Sequence, residues 1–493
     1  MRITNKMMTN SMMNNINKNK NNLSTLDEQY STGKKIQRPS DDPIIAVRAL
    51  KLRTNLSELN QYLDKNIPDA MSWMDITESA LKNINTILTK LNTNCVQGTS
   101  DPLTASDRAS IVENLVESKK QIYQEGDSNY AGRYVFTGYK TDTSLIFTDD
   151  SANLDYSITE KFKSTDIEAI TKVKGEYSLS DYNSASPSAT VFANAPTLTE
   201  AHRIRLSYDN LENTVPTAIS YTVGGTVATP ALTVVTKSVT DANAYTPNVG
   251  EINCIAETGE LILSKDAYDK LQLADDISVT YEKTKFMEGD LRPEHYFDCK
   301  VNTIPITTQI DYTKKDQEIQ YEVNFNQKLT INTQGSDAIQ HSIGRDIDEI
   351  LQAVQDVIAT EDKKSEVEKK LKETNITPNQ TTALEKMLEQ INTELVLKNK
   401  IMHDKFGQGV TGTSKSQETL NVAVADLGSR YVRLELTESR LSSQQSDFED
   451  LLSTNEDADV VETYIKLNSA ETIYNASLSA TSKIVKNTLL DFL

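Results

Sequence analysis

The stretch Gly33-Lys34-Lys35-Ile36-Gln37-Arg38-Pro39-Ser40-Asp41-Asp42-Pro43 decides how the rest of the chain is read. Pro39 and Pro43 lack a backbone N–H, and each disfavours helix for the residue before it. Ser40, Asp41 and Asp42 offer oxygens that can cap a following helix, and Pro43 suits its first turn. The stretch therefore reads as a joint: one helical segment stops and a longer one starts. Taken alone, it fits an ordinary helix-stop, helix-start connection as well as a specialised hinge.

Working outward, residues 1–32 place Ile3, Met7, Ile16, Leu23, Leu26 and Tyr30 at helical spacings, interrupted by Asn10, Asn14, Asn17 and Asn21. So thin a stripe predicts a helix that is marginal or disordered until something packs against it. After the joint, Leu52, Leu56, Leu59, Leu63, Ala70, Trp73, Leu81, Ile84, Leu88 and Leu91 follow the 4-3 alternation of a heptad seam, with Asn66 and Thr77 as polar members. Pro68 lies inside this run and predicts a kink or a break. At the far end, Leu420, Val424, Leu427, Tyr431, Leu434, Leu441 and Phe448 form a second seam. Beyond a polar interruption at 453–459 it resumes with Val460, Tyr464, Leu467, Tyr474, Leu478 and Val485, and closes on Leu489, Leu490, Phe492 and Leu493. Two apolar stripes at opposite ends of one chain are most economically buried against each other. The apolar C-terminus predicts burial against another subunit, with docking onto its own chain as the alternative.

Between the arms, residues 98–102 read as a loop, and Ser106 or Asp107 as the cap of a shorter helix carrying Ile111, Leu115, Ser118 and Ile122. The glycine-bounded run from Tyr130 to Tyr139 predicts a strand or short hairpin. Period-2 runs then recur at Ile219-Tyr221-Val223, Leu261-Leu263, Ile277-Val279-Tyr281 and Ile319-Tyr321-Val323-Phe325, which predicts one or two small sandwich-like β domains over 145–333. Ile339, Ile343, Ile350, Val354 and Val357 restore the helical period. A charged stretch follows and turns at Thr377-Pro378-Asn379, predicting a helical hairpin over 361–406, and Gly407, Gly409 and Gly412 predict a flexible break before the final arm.

Composition narrows the function classes. Lys and Arg total 51 against 71 Asp and Glu, a formal charge of −20 over 493 residues, which argues against nucleic acid or an anionic membrane as partner. No apolar run approaches the roughly 20 residues needed to span a bilayer, and the N-terminus has no signal-peptide pattern. The hydrophobic share of 37% implies thin cores and much surface. Cys95, Cys254 and Cys299 are too few and too scattered for a disulfide framework. With four histidines, and no recognisable nucleotide, hydrolase or metalloprotease motif, neither an enzyme nor a cofactor is expected; Glu294-His295 with Asp298-Cys299 is a weak metal-ligand pattern.

At this point the chain resembles the bacterial flagellin superfamily. The resemblance rests on Met1-Arg2-Ile3-Thr4, on Ser31-Thr32-Gly33-Lys34-Lys35-Ile36 with Arg38-Pro39-Ser40-Asp41-Asp42-Pro43, on Gly132-Arg133-Tyr134-Val135-Phe136-Thr137-Gly138, and on Leu489-Leu490-Asp491-Phe492-Leu493. It covers roughly 1–145, 316–360 and 416–493. Within the superfamily these motifs are most similar to the junction subunits between hook and filament, with a filament flagellin as the alternative and an enzymatic or glycan-binding outer domain on a flagellar scaffold as the more distant one. The resemblance implies export through the flagellar type III channel without a cleaved signal, with an export chaperone, and an extracellular place on the flagellum. Its implied partners are the first hook-associated junction protein, flagellin, and copies of itself in a ring.

The expected architecture is α+β: a long antiparallel helical-bundle rod formed by the N- and C-terminal arms, with an inserted β-rich outer region. The expected divisions are an assembly arm over 1–43 that is disordered in the monomer, a helical rod over 44–144, the β-rich region over 145–333, a return helix over 334–360, the hairpin over 361–406, the returning rod over 416–452, and a C-terminal assembly arm over 453–493. The expected interaction residues are Arg38, Pro39, Ser40, Asp41, Asp42 and Pro43 in the joint. In the seams they are Leu52, Leu56, Leu59 and Leu63, then Leu420, Val424, Leu427, Tyr431, Leu434 and Leu441, then Tyr464, Leu467, Leu478, Leu490 and Leu493. Aspartate at Leu427 and Leu434 is expected to block incorporation while sparing export.

Overall fold

The computed structural model describes the backbone of residues 5–100, 103–151, 154–212, 217–228, 232–241, 243–303 and 308–490, and their side chains apart from 5, 105 and 484–490. The helices are α1 (Asn5–Thr32), α2 (Pro43–Gln61), α3 (Ile67–Gly98), α4 (Ala105–Glu125), α5 (Lys265–Leu271), α6 (Gly335–Ala338), α7 (His341–Leu371), α8 (Pro378–Glu456) and α9 (Val460–Leu490). The strands are β1 (Asn129–Tyr130), β2 (Arg133–Tyr134), β3 (Leu154–Phe162), β4 (Glu168–Lys174), β5 (Thr197–Arg205), β6 (Ala218–Val223), β7 (Thr226–Val227), β8 (Thr233–Lys237), β9 (Glu251–Ile255), β10 (Glu260–Leu263), β11 (Asp276–Lys283), β12 (Asp298–Thr303), β13 (Gln309–Tyr312), β14 (Gln320–Asn324) and β15 (Gln327–Thr330). The fold is α+β, with helical ends and a β-rich middle. It divides into two compact units, the first made of Met1–Asp69, Tyr321–Leu329 and Val432–Leu493, the second of Ala70–Gln320 and Thr330–Tyr431.

In the first unit α1 packs along α9. Ile16 is buried, Leu23 and Leu26 are half-buried, and they face Thr463, Leu467, Ala470 and Tyr474. Asn19 Nδ2 donates to Ser477 Oγ at 3.0 Å across this seam. The buried stripe on α9 is therefore 463-467-470-474, not 464-467-474-478. Tyr464 and Leu478 sit on the exposed side, with Tyr464 against Tyr30 at 5.6 Å between ring centroids. Alanine and threonine let the helices approach but bury little area, so this contact stabilises weakly. The C-terminal half of α8 runs antiparallel to α2: Gln445 Nε2 donates to Asn60 Oδ1 at 2.9 Å, and Asn455 Nδ2 to the Ile45 carbonyl at 3.1 Å. Leu59, Leu434 and Leu441 are fully buried, whereas Leu52, Leu56 and Leu63 are half-buried.

Pro68 neither breaks nor ends the helical run. Residues Tyr62–Asn66 form a π turn, with Ile67 N–H bonded to the Tyr62 carbonyl, and the run continues through α3. A π turn absorbs one extra residue, which lets the backbone skip the donor that proline lacks. The β14–β15 hairpin also belongs to this unit, although its period-2 sequence groups it with the β-rich region. Phe325 sits edge-on to Tyr62 at 5.5 Å, and Asn66 Nδ2 donates to the Glu322 carbonyl at 2.8 Å.

In the second unit, α3, α4, α7 and the N-terminal half of α8 pack together. The seam residues Ala70, Trp73, Leu81, Ile84, Leu88 and Leu91 are all buried, and Thr77 is satisfied by the Trp73 carbonyl at 2.8 Å. Thr104, not Ser106 or Asp107, caps α4: it forms a reciprocal capping box in which Asp107 is the return partner. The Tyr130–Tyr139 run is a two-residue-per-strand hairpin turned by Ala131 and Gly132, both at positive φ, and it lays Arg133 5.2 Å from the Trp73 ring. No flexible break follows the hairpin: α7 continues to Leu371 and α8 runs unbroken from Pro378 through Gly407, Gly409 and Gly412. The latter two glycines serve close approach. A Cβ on Gly409 would stand 2.7 Å from Ile350 and 3.1 Å from Cys95 Sγ, and one on Gly412 2.2 Å from the Asp346 carboxylate.

The β-rich region is one two-layer sandwich. A five-stranded sheet of order β4-β5-β10-β9-β8 and a six-stranded sheet of order β13-β12-β3-β11-β6-β7 close over a single core. Strand alternation supplies that core: Tyr156 and Ile158 from β3, Ile277, Val279 and Tyr281 from β11, Ile252 and Cys254 from β9, Leu261 and Leu263 from β10. The other face of the five-stranded sheet carries a small apolar cluster, Ile170, Ala244, Ile255 and Ile262, and beside it a charged network. Buried Arg203 binds Glu168, Glu260 and, at 2.6 Å, Glu349 of α7; Arg205 binds Asp346 of α7 at 2.7 Å; and Lys405 of α8 reaches Glu349 at 2.5 Å. A buried pair broken on one side leaves an uncompensated charge, so this network fixes sheet to helices in one register.

Candidate assembly interface

The joint is a built corner. Gly33 at φ +69 ends α1, and the chain turns back beside the α8–α9 connection. There the Lys35 N–H donates to the Glu456 carbonyl at 2.6 Å and the Ala458 N–H donates to the Gly33 carbonyl at 2.8 Å. Lys34 Nζ meets Asp457 Oδ1 at 2.5 Å, and Lys35 Nζ donates to the Thr454 carbonyl at 2.5 Å. Hydrogen bonding to Asp457 raises the Lys34 pKa, and hydrogen bonding to Lys34 lowers that of Asp457. Glu456, its side chain only 6% exposed, also takes the Arg53 guanidinium. The two chain reversals are thus stitched to each other, which links residues more than 400 positions apart.

Within the joint the six expected residues separate into two roles. Asp41 Oδ2 accepts from the Arg38 and Gln37 amides at 2.9 and 3.1 Å, the contacts that hold its carboxyl below the usual range. Asp42, extended at φ −145, accepts from the Ile44 and Ile45 amides at 2.9 and 3.2 Å, with Pro43 at the first helical position. These two aspartates shape the turn. Arg38, Pro39 and Ser40 are exposed and face outward. Sequence reading misses the other half of the corner, Lys34, Lys35 and Arg53 against Glu456 and Asp457. The one signal for it is the acidic character of the 453–459 interruption opposite a lysine pair.

The seam residues fall on both units. Leu420 and Leu427 are buried and Val424 and Tyr431 half-buried in the second; Leu434 and Leu441 are buried in the first. Leu427 and Leu434 therefore belong to the chain's own core, so aspartate there disrupts folding before it tests incorporation. The Leu490 side chain and Leu493 lie outside the described residues. What remains outside is apolar: Ile44, Val47 and Leu50 on α2, and Val461, Tyr464, Ile465, Ile473 and Leu478 on α9, are exposed. More than half of the exposed large apolar side chains among the described residues fall in the first unit, which holds less than a third of the chain. Exposed apolar faces of this kind mark candidate interaction surfaces.

Burial and Glu294 push the Cys299 thiol up to about 12, burial and Lys140 hold the His295 ring down to about 3, and His295 Nε2 lies 3.2 Å from the Ser144 carbonyl. Among the described residues no group of three or more His, Cys, Asp or Glu is placed to hold a metal ion, and no helix is long and apolar enough to cross a membrane.

Comparison with known proteins matches residues 3–141 to the bacterial flagellin N-terminal helical region and residues 411–493 to the bacterial flagellin C-terminal helical region. The chain is 31% identical over 192 residues to flagellar hook-associated protein 3 of Salmonella typhimurium, 38% of this chain and 59% of that one. It is 31% identical over 146 residues to the Escherichia coli protein of the same name, 29% of this chain and 45% of that one. The chain thus spans less than two thirds of the length of these relatives. A crystal structure of flagellar hook-associated protein 3 from Legionella pneumophila aligns with 82% of this chain and 97% of its own at 8% identity, with a TM-score of 0.30, too loose a likeness to carry an argument. The helical end regions of bacterial flagellin thus match the two ends of this chain, in the same order, and the residues between 141 and 411 lie outside both matches.

Proposed function

We propose that the chain is a structural subunit of the bacterial flagellum that acts as the adaptor between hook and filament, without enzymatic activity. The observation that carries this reading is the coincidence of two maps. The regions that match flagellin's helical ends contain the exposed apolar faces of α2 and α9. Subunits add by burying those faces against neighbours, so ordering of the terminal helices and polymerisation are one event. The partners on this reading are the first hook-associated junction protein on one side, flagellin on the other, and copies of the chain in a ring. An export chaperone would cover the same apolar helices before secretion, and the subunit would reach the cell exterior through the flagellar export channel without a cleaved signal. The names of the two relatives favour the junction over the filament; the flagellin models at both ends keep a filament subunit as the second reading.

Antibody-gold labelling of intact flagella tests the assignment. A single short band where hook meets filament is expected, together with loss of filaments and retention of hooks in a deletion strain. Label along the whole filament would make the chain a flagellin.

A further inference from the structure

The second unit contains a cavity of about 670 Å³ that assembly does not explain. It opens between one end of the sandwich and helices α4 and α7, and its size falls in the range of small-molecule sites, about 300–1,000 Å³. Its lining holds two buried cations, and two further lysines, Lys119 and Lys285, that are half-buried and exposed. Lys283 and Arg345, on the inner wall, are 3% and 9% exposed. The lining carboxylates Asp209, Glu212, Glu257, Asp290 and Asp348 are all at least partly exposed. Strand alternation accounts for the lysine: it follows Ile277, Val279 and Tyr281 on the inward face of β11, where a hydrophobic residue would complete the core.

The one carboxylate in salt-bridge reach of both cations is Asp209, at 3.7 Å from Lys283 Nζ and 3.6 Å from Arg345 Nη1, and it is 43% exposed; Asp290 and Glu160 act on Lys283 and Arg345 from further off. The other bonds go to neutral carbonyls, Asp209 O for the lysine at 2.6 Å and Thr258 O for the arginine. Arg345 Nε is buried with no hydrogen-bond partner. Burial lowers the Lys283 pKa despite Asp209. The first turn of α7, whose positive dipole end adds to the field, has no side-chain cap, and His341, Gly344 and Arg345 of that turn and the next line the cavity. A buried charge without a close partner is costly, so the inner wall favours an anion, while the outer carboxylates accept hydrogen bonds from hydroxyls.

We propose that this cavity binds an acidic saccharide, its carboxylate placed between Lys283 and Arg345 and its hydroxyls donating to the rim carboxylates. The inference is independent of where the chain sits on the flagellum, because every lining residue belongs to the second unit.

Calorimetric titration of the full chain with glucuronate, glucose and acetate tests it. Glucuronate is expected to bind at least tenfold more tightly than either glucose, which lacks the carboxylate, or acetate, which lacks the hydroxyls. A glucuronate-terminated disaccharide that binds more tightly still would make the natural ligand a glycan end, and equal binding would make it the free sugar acid. Lys283→Met should abolish binding while the melting curve stays cooperative. Asp209→Asn, which removes the competing carboxylate, should tighten glucuronate binding several-fold, a gain that damage to the fold cannot produce. Equal affinity for glucuronate and glucose, no binding of any of the three, or weaker binding by Asp209→Asn would overturn the proposal.

Discussion

The two units use the same helical currency to opposite ends. In the second, helices and a sandwich share large side chains: Phe286 stacks on Phe147 at 4.7 Å and meets Tyr156 edge-on at 5.0 Å, and Trp73 is 1% exposed. In the first, α1 and α9 meet through a thin stripe, Ile16, Leu23 and Leu26 against Thr463, Leu467, Ala470 and Tyr474, while Val461, Ile465, Ile473 and Leu478 stay exposed. A core made of aromatic and branched residues holds itself together. A seam with one buried isoleucine and otherwise half-buried or small residues leaves apolar area exposed. The difference teaches that one chain can carry a part with a full core and a part whose apolar faces stay exposed, which on the function proposed above are covered on assembly.

The sharpest way to break this comparison is to damage the well-cored unit. Phe286→Ala should cost about 3–5 kcal/mol, and Arg203→Met, which removes the guanidinium from Glu260 but leaves Glu349 its bonds to Arg205 and Lys405, should cost less. Both should appear as a lowered melting temperature of the sandwich by calorimetry, with helical signal from the terminal segments unchanged.

The cores behind that contrast are legible in the amino-acid sequence. Heptad spacing locates the buried face from Ala70 to Leu91 because a helix in a bundle has one inside. Period-2 runs locate β6, β10 and β11 for the matching reason in strands. Two kinds of feature are not legible. Glycines at 407, 409 and 412 read as a break because local propensity opposes helix, yet tertiary packing of the latter two against Ile350, Cys95 and Asp346 requires them. The corner partners Glu456 and Asp457 lie more than 400 residues from Lys34, and no local pattern announces a contact at that separation. The α9 stripe reads one position off because Tyr464 and Leu478 outweigh Thr463 and Ala470 in hydrophobicity, although the small residues make the contact.

Acid sharpens the comparison next. Burial holds the His341 and His295 rings down to about 3. Burial would raise the Glu349 carboxyl, but Arg203, Arg205 and Lys405 outweigh it and hold it far below the usual carboxylate range. For all three the folded pKa lies below the unfolded one, so their stability contribution is present at neutral pH and is lost as pH falls. The histidines begin to cost near their unfolded pKa of about 6.5, and the glutamate near about 4.3. By pH 4 the second unit should lose on the order of 3 kcal/mol for each histidine, read as a falling unfolding midpoint in a pH series of denaturant titrations. The α1–α9 pairing has no such buried group among the described residues and should not follow.

Smaller effects belong to the joint. Asp42→Ala removes the cap of α2 and should cost about 1 kcal/mol. Lys34→Ala breaks an exposed ion pair with Asp457 and should cost less, about 0–1 kcal/mol, with the difference shrinking in high salt. The smallest effect on the isolated chain is expected from Val461→Asp with Ile465→Asp, within about 0.5 kcal/mol because both side chains are already exposed. The same pair should nonetheless prevent incorporation into flagella, so a normal filament on that strain would count against the exposed face as an assembly surface.

Hydrogen exchange on the soluble chain and on assembled flagella tests most directly whether the first unit completes its burial by assembly. The account predicts fast exchange along α1 and α9 in solution, strong protection of both helices after assembly, and the same slow exchange of β3, β9, β10 and β11 in the two states. Equal and strong protection of α1 and α9 in the isolated chain would contradict it.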